Sequence, residues 1–550
     1  MRQPWRAVLS QFSARKLGTE RAVSHLILMY ALSNAALYCC LMPLWEGFDE
    51  LYHYGIVEHF ATHATLPVIG ETTLSRELWT SLDFLPVSHY IEPHLERSGI
   101  TFLRYFALSA EDRATLRHGA DSIDRRWRSE PSPRTDYEAM QAPLTYLFLA
   151  PVDWLFSGRP LTSRVLFLRL LLAFAAIVLL WIGSDHFASR LGLQEPMKSA
   201  ALFVVFSCQM LYAETCRIGN DALVAPWLLF FLVAVAACIE TPSFRRTTWM
   251  GVLMAAGLLL KASMLIFVPL AFAAPIVILV RGALPLSKAA QHVAIAAGII
   301  GAVAGPWYLR NLTLYHNVSG TIDATAGVGP EQMLQASLHV PWRESIASTM
   351  HGALWTGNNS FLTFSGFTLN VALGALALTI VLYLVRARWT APEWIAMVAI
   401  VLYGALMLGV TVSFFYASKG AVSGPMPWYL QVLLVPVVAL GFLGLARSAR
   451  WGRSIAVATV LLWAYIDVVS WIAKLIPLYG GFEQSHARAG ELLRWYLYGA
   501  AERNSMLATI CPAPLPVIHA LLAVALATLA VLGIWLPVVL YRTTDVGWPA

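Results

Sequence analysis

Charged residues are scarce in this sequence. Asp, Glu, Lys and Arg make up 13% of the 550 residues, whereas 58% are hydrophobic. In soluble domains roughly a quarter of all residues are charged. The composition therefore excludes an ordinary water-soluble enzyme and indicates a chain surrounded mostly by lipid. The sequence pI is near 9.0, but no basic stripe is interleaved with aromatic residues, which argues against a nucleic-acid partner.

The sequence also lacks the short motifs that cradle nucleotides or ligate metals. It contains no Gly-rich nucleotide loop, no Walker sequence and no HExxH. This argues against direct use of ATP or of a nucleotide sugar, because their phosphates usually need such a cradle. The six cysteines lie mostly inside apolar runs and form no CxxC pair, so we expect neither a disulfide framework nor a CxxC metal site.

Long apolar runs are what the sequence has in abundance. A helix needs about 20 apolar residues to cross ~30 Å of hydrocarbon, and these runs are continuous, unlike the short alternating segments of a membrane barrel. We therefore predict an all-α polytopic membrane protein with about 11–13 transmembrane helices. The runs cover residues 24–44, 141–157, 164–183, 199–214, 222–239, 248–260, 263–281, 289–309, 367–385, 393–416, 428–446, 454–477 and 514–540.

The first of these runs, 24–44, should leave the N-terminus in the cytoplasm. Residues 1–23 carry five basic residues and one acid, which fits the positive-inside rule. The run ends in YCCLMPLW, without a small-x-small cleavage site. We interpret it as a retained first transmembrane helix rather than a cleaved signal peptide.

Residues 45–140 form a large polar segment directly after this helix. The segment holds 16 of the 32 acidic residues and six of the 14 histidines, against nine Lys and Arg. Apolar, aromatic and charged residues recur in it at helical spacing. We expect an outer loop with short amphipathic helices on the membrane surface.

Basic clusters orient the later helices. Clusters at 245–246, 281–288, 386–388 and 447–453 are each separated by two apolar runs, so all of them can be cytoplasmic. Counting back from them leaves one crossing too many before residue 216, so either the short 141–157 run or the short 199–214 run should fail to cross fully. The resulting division is a core at 141–309, an outer loop and candidate lid at 310–366, C-terminal helices at 367–541 with an outer loop at 479–513, and a tail at 542–550.

Two acids and a histidine, Asp49, Glu50 and His53, open the first polar segment. Asp49 is a natural helix N-cap, and Glu50 suits a first helical turn. Both acids nevertheless lie at the membrane edge, where a carboxylate is a functional candidate by default. Near apolar surface a carboxylate can act as general base on a hydroxyl. His53, one turn later, could orient that acid, share a metal or contact phosphate, or be a packing residue.

The order of several motifs resembles that of the membrane-embedded glycosyltransferases with the GT-C fold, which use lipid-linked sugar donors. The resemblance is closest to the bacterial branch with aminoarabinose transferase and the relatives of the protein O-mannosyltransferases, and covers about 24–445. Two positions depart from the family pattern: Ala142 stands where a proline is usual, and Trp428 where an arginine is usual. The motifs are MPLWEGFDELYHYGIVEHFATHATLPVIGE (42–71), YEAMQAPLTYLFLAP (137–151), RIGNDALVAPWLLFFLVAV (217–235), GLLLKASMLIFVPLA (257–271), AGPWYLRNLTLYHNVSG (304–320) and MPWYLQVLLVPVVALG (426–441).

The resemblance implies roles for the polar residues in these motifs. Asp49 would be the catalytic base with Glu50 as a second acid, and Lys261 would hold the donor phosphate. Lys261 interrupts an apolar run, so its alternative role is to extend to the membrane interface. Arg310 would also contact the phosphate, or anchor the interface. The remaining substrate-binding candidates are His53, Glu138, Gln141, Asn220, Asp221, Trp307, Tyr308 and Tyr429.

Several of these residues also have a purely structural explanation. Glu138 and Gln141 could end a solvated loop, and Asn220 with Asp221 could simply cap the next helix. The many acids and histidines of 45–140 leave a divalent metal open, but no ligand spacing is diagnostic.

The leading hypothesis is therefore a glycosyltransferase of the bacterial cytoplasmic membrane with its active site facing outward. Its partners would be membrane lipids and a polyprenyl-phosphate-linked sugar, which it would transfer with inversion to an envelope glycan, lipid or protein. The alternatives are a transporter or flippase of lipid-linked sugars, which would usually show two similar halves, and a polysaccharide polymerase or ligase, expected to carry its main outer loop late in the chain. A family member that has lost activity is a further alternative.

Overall fold

A computed structural model describes residues 4–63, 65–95, 99–320, 329–482 and 489–542. The side chains of 4–21, 449–450 and 542 are not described. Part of the expected N-terminal region and nearly all of the expected tail at 542–550 therefore lie outside the described residues.

The prediction of an all-α polytopic membrane protein is confirmed. Within the described ranges, ten helical segments are long and apolar enough to cross a membrane. The count is below 11–13 because the helices at 144–155, 197–206 and 244–260 are shorter. The ten segments are Ala22–Leu41, Leu161–Arg190, Asp221–Glu240, Ala262–Val280, Leu286–Val303, Gly366–Arg386, Ala391–Ala417, Pro427–Ala446, Trp451–Tyr479 and Leu515–Tyr541.

The first fourteen α-helices in chain order are labelled α1 to α14. They are α1 (Pro4–Leu41), α2 (Glu50–His63), α3 (Arg76–Ser81), α4 (Phe102–Phe106), α5 (Ala110–Asp121), α6 (Leu144–Leu155), α7 (Leu161–Arg190), α8 (Met197–Phe206), α9 (Gln209–Thr215), α10 (Val224–Glu240), α11 (Phe244–Leu260), α12 (Val268–Val280), α13 (Leu286–Val303) and α14 (Gly305–Tyr315). The later α-helices are Pro330–His339, Trp342–Leu354, Gly366–Arg386, Ala391–Ala417, Leu434–Ala446, Ala449–Val469, Ile476–Tyr479, Ala489–Tyr498, Ala500–Ile510 and Leu515–Arg542.

Serine hydroxyls set the starts of several of these helices. Ser75, Ser109 and Ser243 each accept a hydrogen bond from the backbone amide three residues later, at the starts of α3, α5 and α11. Ser365 does the same for the helix Gly366–Arg386. Each cap satisfies an amide that has no partner inside its own helix.

The first polar segment folds into a small domain that also contains strands. Strand β1 (Thr73–Ser75) pairs antiparallel with β2 (Pro131–Thr135), a sheet that the sequence patterns do not predict. The expectation of surface amphipathic helices holds for α5, in which only Arg113 and Ala120 are buried. It is wrong for α2, whose first nine residues, 50–58, are all buried, because this helix packs between α6 and the sheet.

A buried cluster of charges fastens this domain to the membrane helices. Arg164 of α7 contacts Glu58 at 3.4 Å and also pairs with Glu77. Arg128 contacts Glu58 at 3.2 Å and pairs with Asp153 of α6. Burial, and then the charge of Glu58, raise the pKa of Glu77 to about 8, while the Arg164 guanidinium acts in the opposite direction.

The two short apolar runs are arranged differently in the structure. Both ends of α6 contact the domain: Tyr146 Oη lies 2.8 Å from His53 Nδ1, and Tyr54 Oη donates to Asp153 at 2.7 Å. Helix α6 therefore stays beside α2. The 199–214 run forms two helices, α8 and α9, separated at Ser207 and Cys208. That one of the two runs fails to cross the membrane fully stays a prediction.

The polar segments gather at one end of the helix bundle. Asn359 donates to the carbonyls of Trp45 and Gly47 at 3.1 and 3.0 Å, which brings the 310–366 segment onto the start of the first domain. Arg117 donates to the carbonyl of Cys511 at 2.7 Å, which brings the 479–513 segment there too. Helix α7 runs from this end to Arg190, which pairs with Glu240 at the opposite, arginine-rich end.

Candidate active site

Asp49 has an unusual backbone conformation at the entrance to α2. Its φ is +56°, in the left-handed region, which non-glycine residues occupy rarely and at a cost. Its carbonyl accepts the amides of Tyr52 and His53 at 3.1 and 3.0 Å. Its carboxylate accepts a hydrogen bond from Tyr137 Oη, and no described contact joins it to a backbone amide, so the carboxylate is not acting as a cap.

Glu50, the second predicted acid, is fully engaged. Arg169 Nε donates to its Oε1 at 2.7 Å, and a second guanidinium nitrogen pairs with Oε2. The amide of Ile218 donates to the same Oε1 at 3.0 Å. Arg169 further donates to the carbonyls of Met42 and Pro43 at 2.6 and 2.9 Å. Glu50 thus ties α2 to α7 and to the 217–221 segment, and Asp49 is the half-exposed acid of the pair.

Asp49 opens into a cavity of about 510 Å³. The walls are mostly aromatic and aliphatic, with a few polar groups, as in small-molecule sites generally. Trp428 stacks face to face on Phe48, with ring centroids 3.9 Å apart, and Tyr52 packs against Tyr137 at 4.3 Å. The other polar side chains on the wall are Glu50, His94, Arg134 and Asn359.

Glu138 and Gln141 belong to one buried chain of hydrogen bonds rather than a solvated loop end. Gln141 Nε2 donates to Glu138 Oε2 at 2.6 Å, and its Oε1 accepts from Asn220 at 2.8 Å. Asp136 caps this turn by accepting the Glu138 amide at 2.9 Å. Burial, and then the charge of Asp49, raise the pKa of Glu138 to about 8. Glu138 is therefore protonated at neutral pH beside the Asp49 carboxylate.

His53 lies behind this pair. It is 3% exposed, its Nδ1 contacts Tyr146 Oη at 2.8 Å, and Glu138 Oε2 is 3.8 Å away. Burial and the neighbouring cations Arg217 and Lys261 lower the pKa of His53 well below its usual value. His53 is therefore a neutral hydrogen-bonding group at physiological pH.

Lys261 and Asp221 form an ion pair at the same end. Lys261 Nζ contacts the Asp221 carboxylate and lies 4.5 Å from the ring centroid of Tyr429. Arg217 reaches Asp221 at 2.9 Å and the carbonyl of Phe48, next to Asp49, at 2.7 Å. Lys261 thus points inward rather than to the interface. In the structure its ammonium has an anionic protein partner in Asp221.

Trp307, Tyr308 and Arg310 lie on α14, farther along the site. Tyr308 Oη donates to the carbonyl of Leu258 at 2.9 Å, one turn before Lys261. The Arg310 guanidinium lies 4.9 Å from the Trp307 ring and donates to the carbonyl of Pro67 at 2.5 Å. Its buried Nη1 has no hydrogen-bond partner among the described residues.

Several residues that complete the site escaped the sequence reasoning. Tyr137 and Arg217 stand next to predicted residues inside the motifs, but nothing in one sequence distinguishes them from their neighbours. Arg169 carried a usable signal, since an arginine inside an apolar run has a partner or a function. Among the described residues, no three His, Cys, Asp or Glu side chains converge to hold a metal ion.

The fold and the site together define a polytopic membrane protein. Its cavity carries a carboxylate and lies where the polar segments of the chain meet. No protein-family model matches the chain, and no curated protein sequence matches it. Among solved structures it is similar to ArnT from Cupriavidus metallidurans bound to undecaprenyl phosphate, with 13% identity, a TM-score of 0.37, and 84% of this chain and 75% of that chain covered. The apo state of the same protein matches with 12% identity and a TM-score of 0.37, and the match covers 83% of this chain and 75% of that chain. Similarity at this level assigns no role to any residue, so the roles rest on the geometry of the site.

Proposed function

We propose that this chain is an integral membrane glycosyltransferase that moves a sugar from a polyprenyl-phosphate donor to an envelope acceptor. The observation that carries the proposal is the placement of Asp49. Its carboxylate opens into an aromatic-lined cavity, is held by Tyr137, and lies beside a carboxyl group that keeps its proton at neutral pH. A carboxyl group with a raised pKa beside the proposed base is an arrangement that active sites use for acid–base chemistry.

In the proposed reaction Asp49 removes the proton from an acceptor hydroxyl. The hydroxyl oxygen attacks the anomeric carbon and forms the new glycosidic bond, while the bond from that carbon to the phosphate oxygen breaks. The polyprenyl phosphate leaves with the electron pair, and the proton stays on Asp49. A single displacement of this kind inverts the anomeric configuration.

The cations of the site would stabilise the leaving phosphate. Arg310 has a buried nitrogen without a partner, and Lys261 could exchange its contact with Asp221 for a phosphate oxygen. Electrostatic stabilisation of the charge that develops in the transition state usually contributes more to catalysis than any other single effect. Arg217 would hold Asp221 and the Phe48 carbonyl in place while Lys261 moves.

The membrane location fits this chemistry. A polyprenyl donor needs hydrocarbon for its tail and a polar site at the boundary for its phosphate, and the site lies at the end of the bundle where the polar segments gather. The arginine-rich loops at the other end would face the cytoplasm under the positive-inside rule. The site would then face outward from the bacterial cytoplasmic membrane, and the 310–366 segment would close over the donor.

The test is a comparison of envelope glycans and lipid-linked sugars with and without the gene. We expect a missing sugar on one glycan, lipid or protein and an accumulated polyprenyl-phosphate sugar in the deletion strain. Restoration by the wild-type gene and by a Glu111→Gln variant, which changes an exposed carboxylate of α5, controls for expression. An unchanged glycan and lipid profile would contradict the proposal.

A flippase of the same lipid-linked sugar would also alter the glycan profile. Purified protein in liposomes separates the two functions, because a flippase moves the labelled donor between leaflets without forming a glycosidic bond. Movement without any transfer to acceptor would replace the proposed function with transport.

A further inference from the structure

A second cavity, of about 440 Å³, lies in the first domain, and none of its wall residues belongs to the ten long apolar segments. Its walls come from the second half of α2, the segment 65–75 and residues 128–131. Asp49 and the residues of its acid–base cluster are not on its wall, so the mechanism above leaves this cavity without a role.

The wall of this cavity is rich in hydrogen-bonding side chains. Hydroxyl groups come from Thr62, Thr65 and Ser75, among others. The rings of His59 and His63 stack with centroids 5.0 Å apart and an interplanar angle of 15°. Hydroxyls donate and accept, and neutral imidazole rings do both as well. In the structure these groups bond to one another: Thr65 Oγ1 lies 3.1 Å from His59 Nε2, and Thr62 Oγ1 lies 2.8 Å from His63 Nδ1. Such groups can exchange these contacts for hydrogen bonds to a polar ligand.

The charges of the wall disfavour an anion. The guanidinium of Arg128 is engaged by Glu58 and Asp153, and Glu130 is paired with Arg76 at 2.9 Å. Glu71 adds a further negative charge at the exposed rim. A polyhydroxylated ligand without anionic groups matches this combination of hydroxyls, rings and acids.

The two cavities are linked by shared elements. Helix α2 starts at the Asp49 cavity and reaches the second one at Gly55, six residues after Asp49, which is about 9 Å of helix. Strand β2 likewise has Arg134 in the first cavity and Pro131 in the second. A ligand in the second cavity would therefore lie within about two helical turns of Asp49.

We propose that the second cavity binds a saccharide without anionic groups, as the distal part of an acceptor glycan whose end reaches Asp49. The binding site itself stands on the cavity wall; its description as an acceptor subsite rests on the proposed function. Bound sugars would lie against the stacked His59 and His63 rings and exchange hydrogen bonds with Thr62, Thr65 and Glu71.

The first experiment measures binding without transfer. Wild-type protein in nanodiscs, with no lipid donor, is applied to an array of neutral, amino-sugar and uronate oligosaccharides of increasing length. We expect binding to neutral or amino-sugar chains, weakened at least about tenfold, or roughly 1.4 kcal/mol, in His59→Ala and in Glu71→Gln. The exposed α5 variants His118→Ala and Glu111→Gln should bind like the wild type.

Binding of uronates alone, binding to no oligosaccharide, or unchanged binding by both cavity variants would overturn the proposal. The second experiment uses the acceptor found by glycan comparison and its terminal sugar as a methyl glycoside. We expect His59→Ala to raise KM for the full acceptor only, with kcat unchanged. Equal effects on both acceptors would remove the subsite and leave the transferase intact, whereas saccharide binding without transfer would remove the transferase and leave the binding site.

Discussion

At the scale of single residues, the side chain that most directly controls Asp49 is Tyr137. Its hydroxyl donates to the Asp49 carboxylate, and its ring packs against Tyr52. The cost of losing one hydrogen bond to a charged group is about 1.5–3 kcal/mol. Tyr137 is a positioning residue in this account, since it acts through Asp49.

We predict that Tyr137→Phe lowers kcat by about 10- to 100-fold with little change in acceptor KM, because the ring stays and only the hydroxyl is lost. Steady-state transfer kinetics measure this. Tyr90→Phe is the matched control, since Tyr90 lines the same cavity without contacting Asp49 in the described structure. Equal losses in both variants would argue against a specific role for the Tyr137–Asp49 bond.

Glu138 gives a prediction about pH. Its pKa is raised from 4.5 to about 8, so the folded protein takes up a proton that the unfolded chain releases. The contribution of Glu138 to the free energy of unfolding is therefore complete below about pH 4.5 and is lost as pH rises through about 8. Thermal unfolding in detergent at pH 6 and pH 9 should show a smaller alkaline loss for Glu138→Gln than for the wild type. An identical loss in both proteins would contradict the raised pKa.

At the scale of elements, the Glu50–Arg169 pair holds α2 against α7. The pair is buried, with both side chains at 0% exposure, and removing one partner of such a pair costs about 3–5 kcal/mol. We predict that Glu50→Gln and Arg169→Met each lower the melting temperature strongly, and that the double variant Glu50→Gln/Arg169→Met is less destabilised than the sum of the two. Additive losses in thermal unfolding would show that the two side chains act independently.

The elements that the sequence patterns predict best are the long apolar helices, because a membrane span needs only length and hydrophobicity. Helix α6 shows that length and hydrophobicity alone do not predict the contacts of an apolar helix. Its residues are as apolar as those of a span, yet Tyr146 and Asp153 bind α2 side chains, and such contacts leave no mark on hydropathy. Strands β1 and β2 were not predicted from the sequence, because Thr73–Ser75 and Pro131–Thr135 are too short and too polar to give a recognisable strand pattern.

The sequence predicted part of the residue set of the candidate site and not its arrangement, since Tyr137, Arg169 and Arg217 were missed. The motif order picked out Asp49, Glu138 and Lys261 from distant parts of the chain, and the structure brings all three to one end of the bundle. The partner of each was not predictable, because the contacts Asp49–Tyr137 and Lys261–Asp221 join segments 88 and 40 residues apart. Contacts between residues so far apart in the sequence depend on how the helices pack, which the sequence patterns do not show.

At the scale of the whole molecule, a helix bundle with an arginine-rich end is joined to a domain that carries Asp49, the proposed base. The buried cluster of Glu58, Arg128 and Arg164 joins this domain to α7. A donor with its tail in lipid and an acceptor held by the first domain would meet between them. This arrangement explains why the acids gather so early in the chain.

Asp49 is proposed as the base of a sugar transfer, and transfer by the purified protein in liposomes tests this claim. The labelled donor is the polyprenyl-phosphate sugar that accumulates in the deletion strain, and Asp49→Asn is compared with the wild type and with Glu111→Gln. We predict that Asp49→Asn inserts and melts like the wild type but transfers sugar about 10²- to 10⁴-fold more slowly, while Glu111→Gln is unaffected. Transfer by Asp49→Asn at a rate close to that of the wild type would contradict the claim.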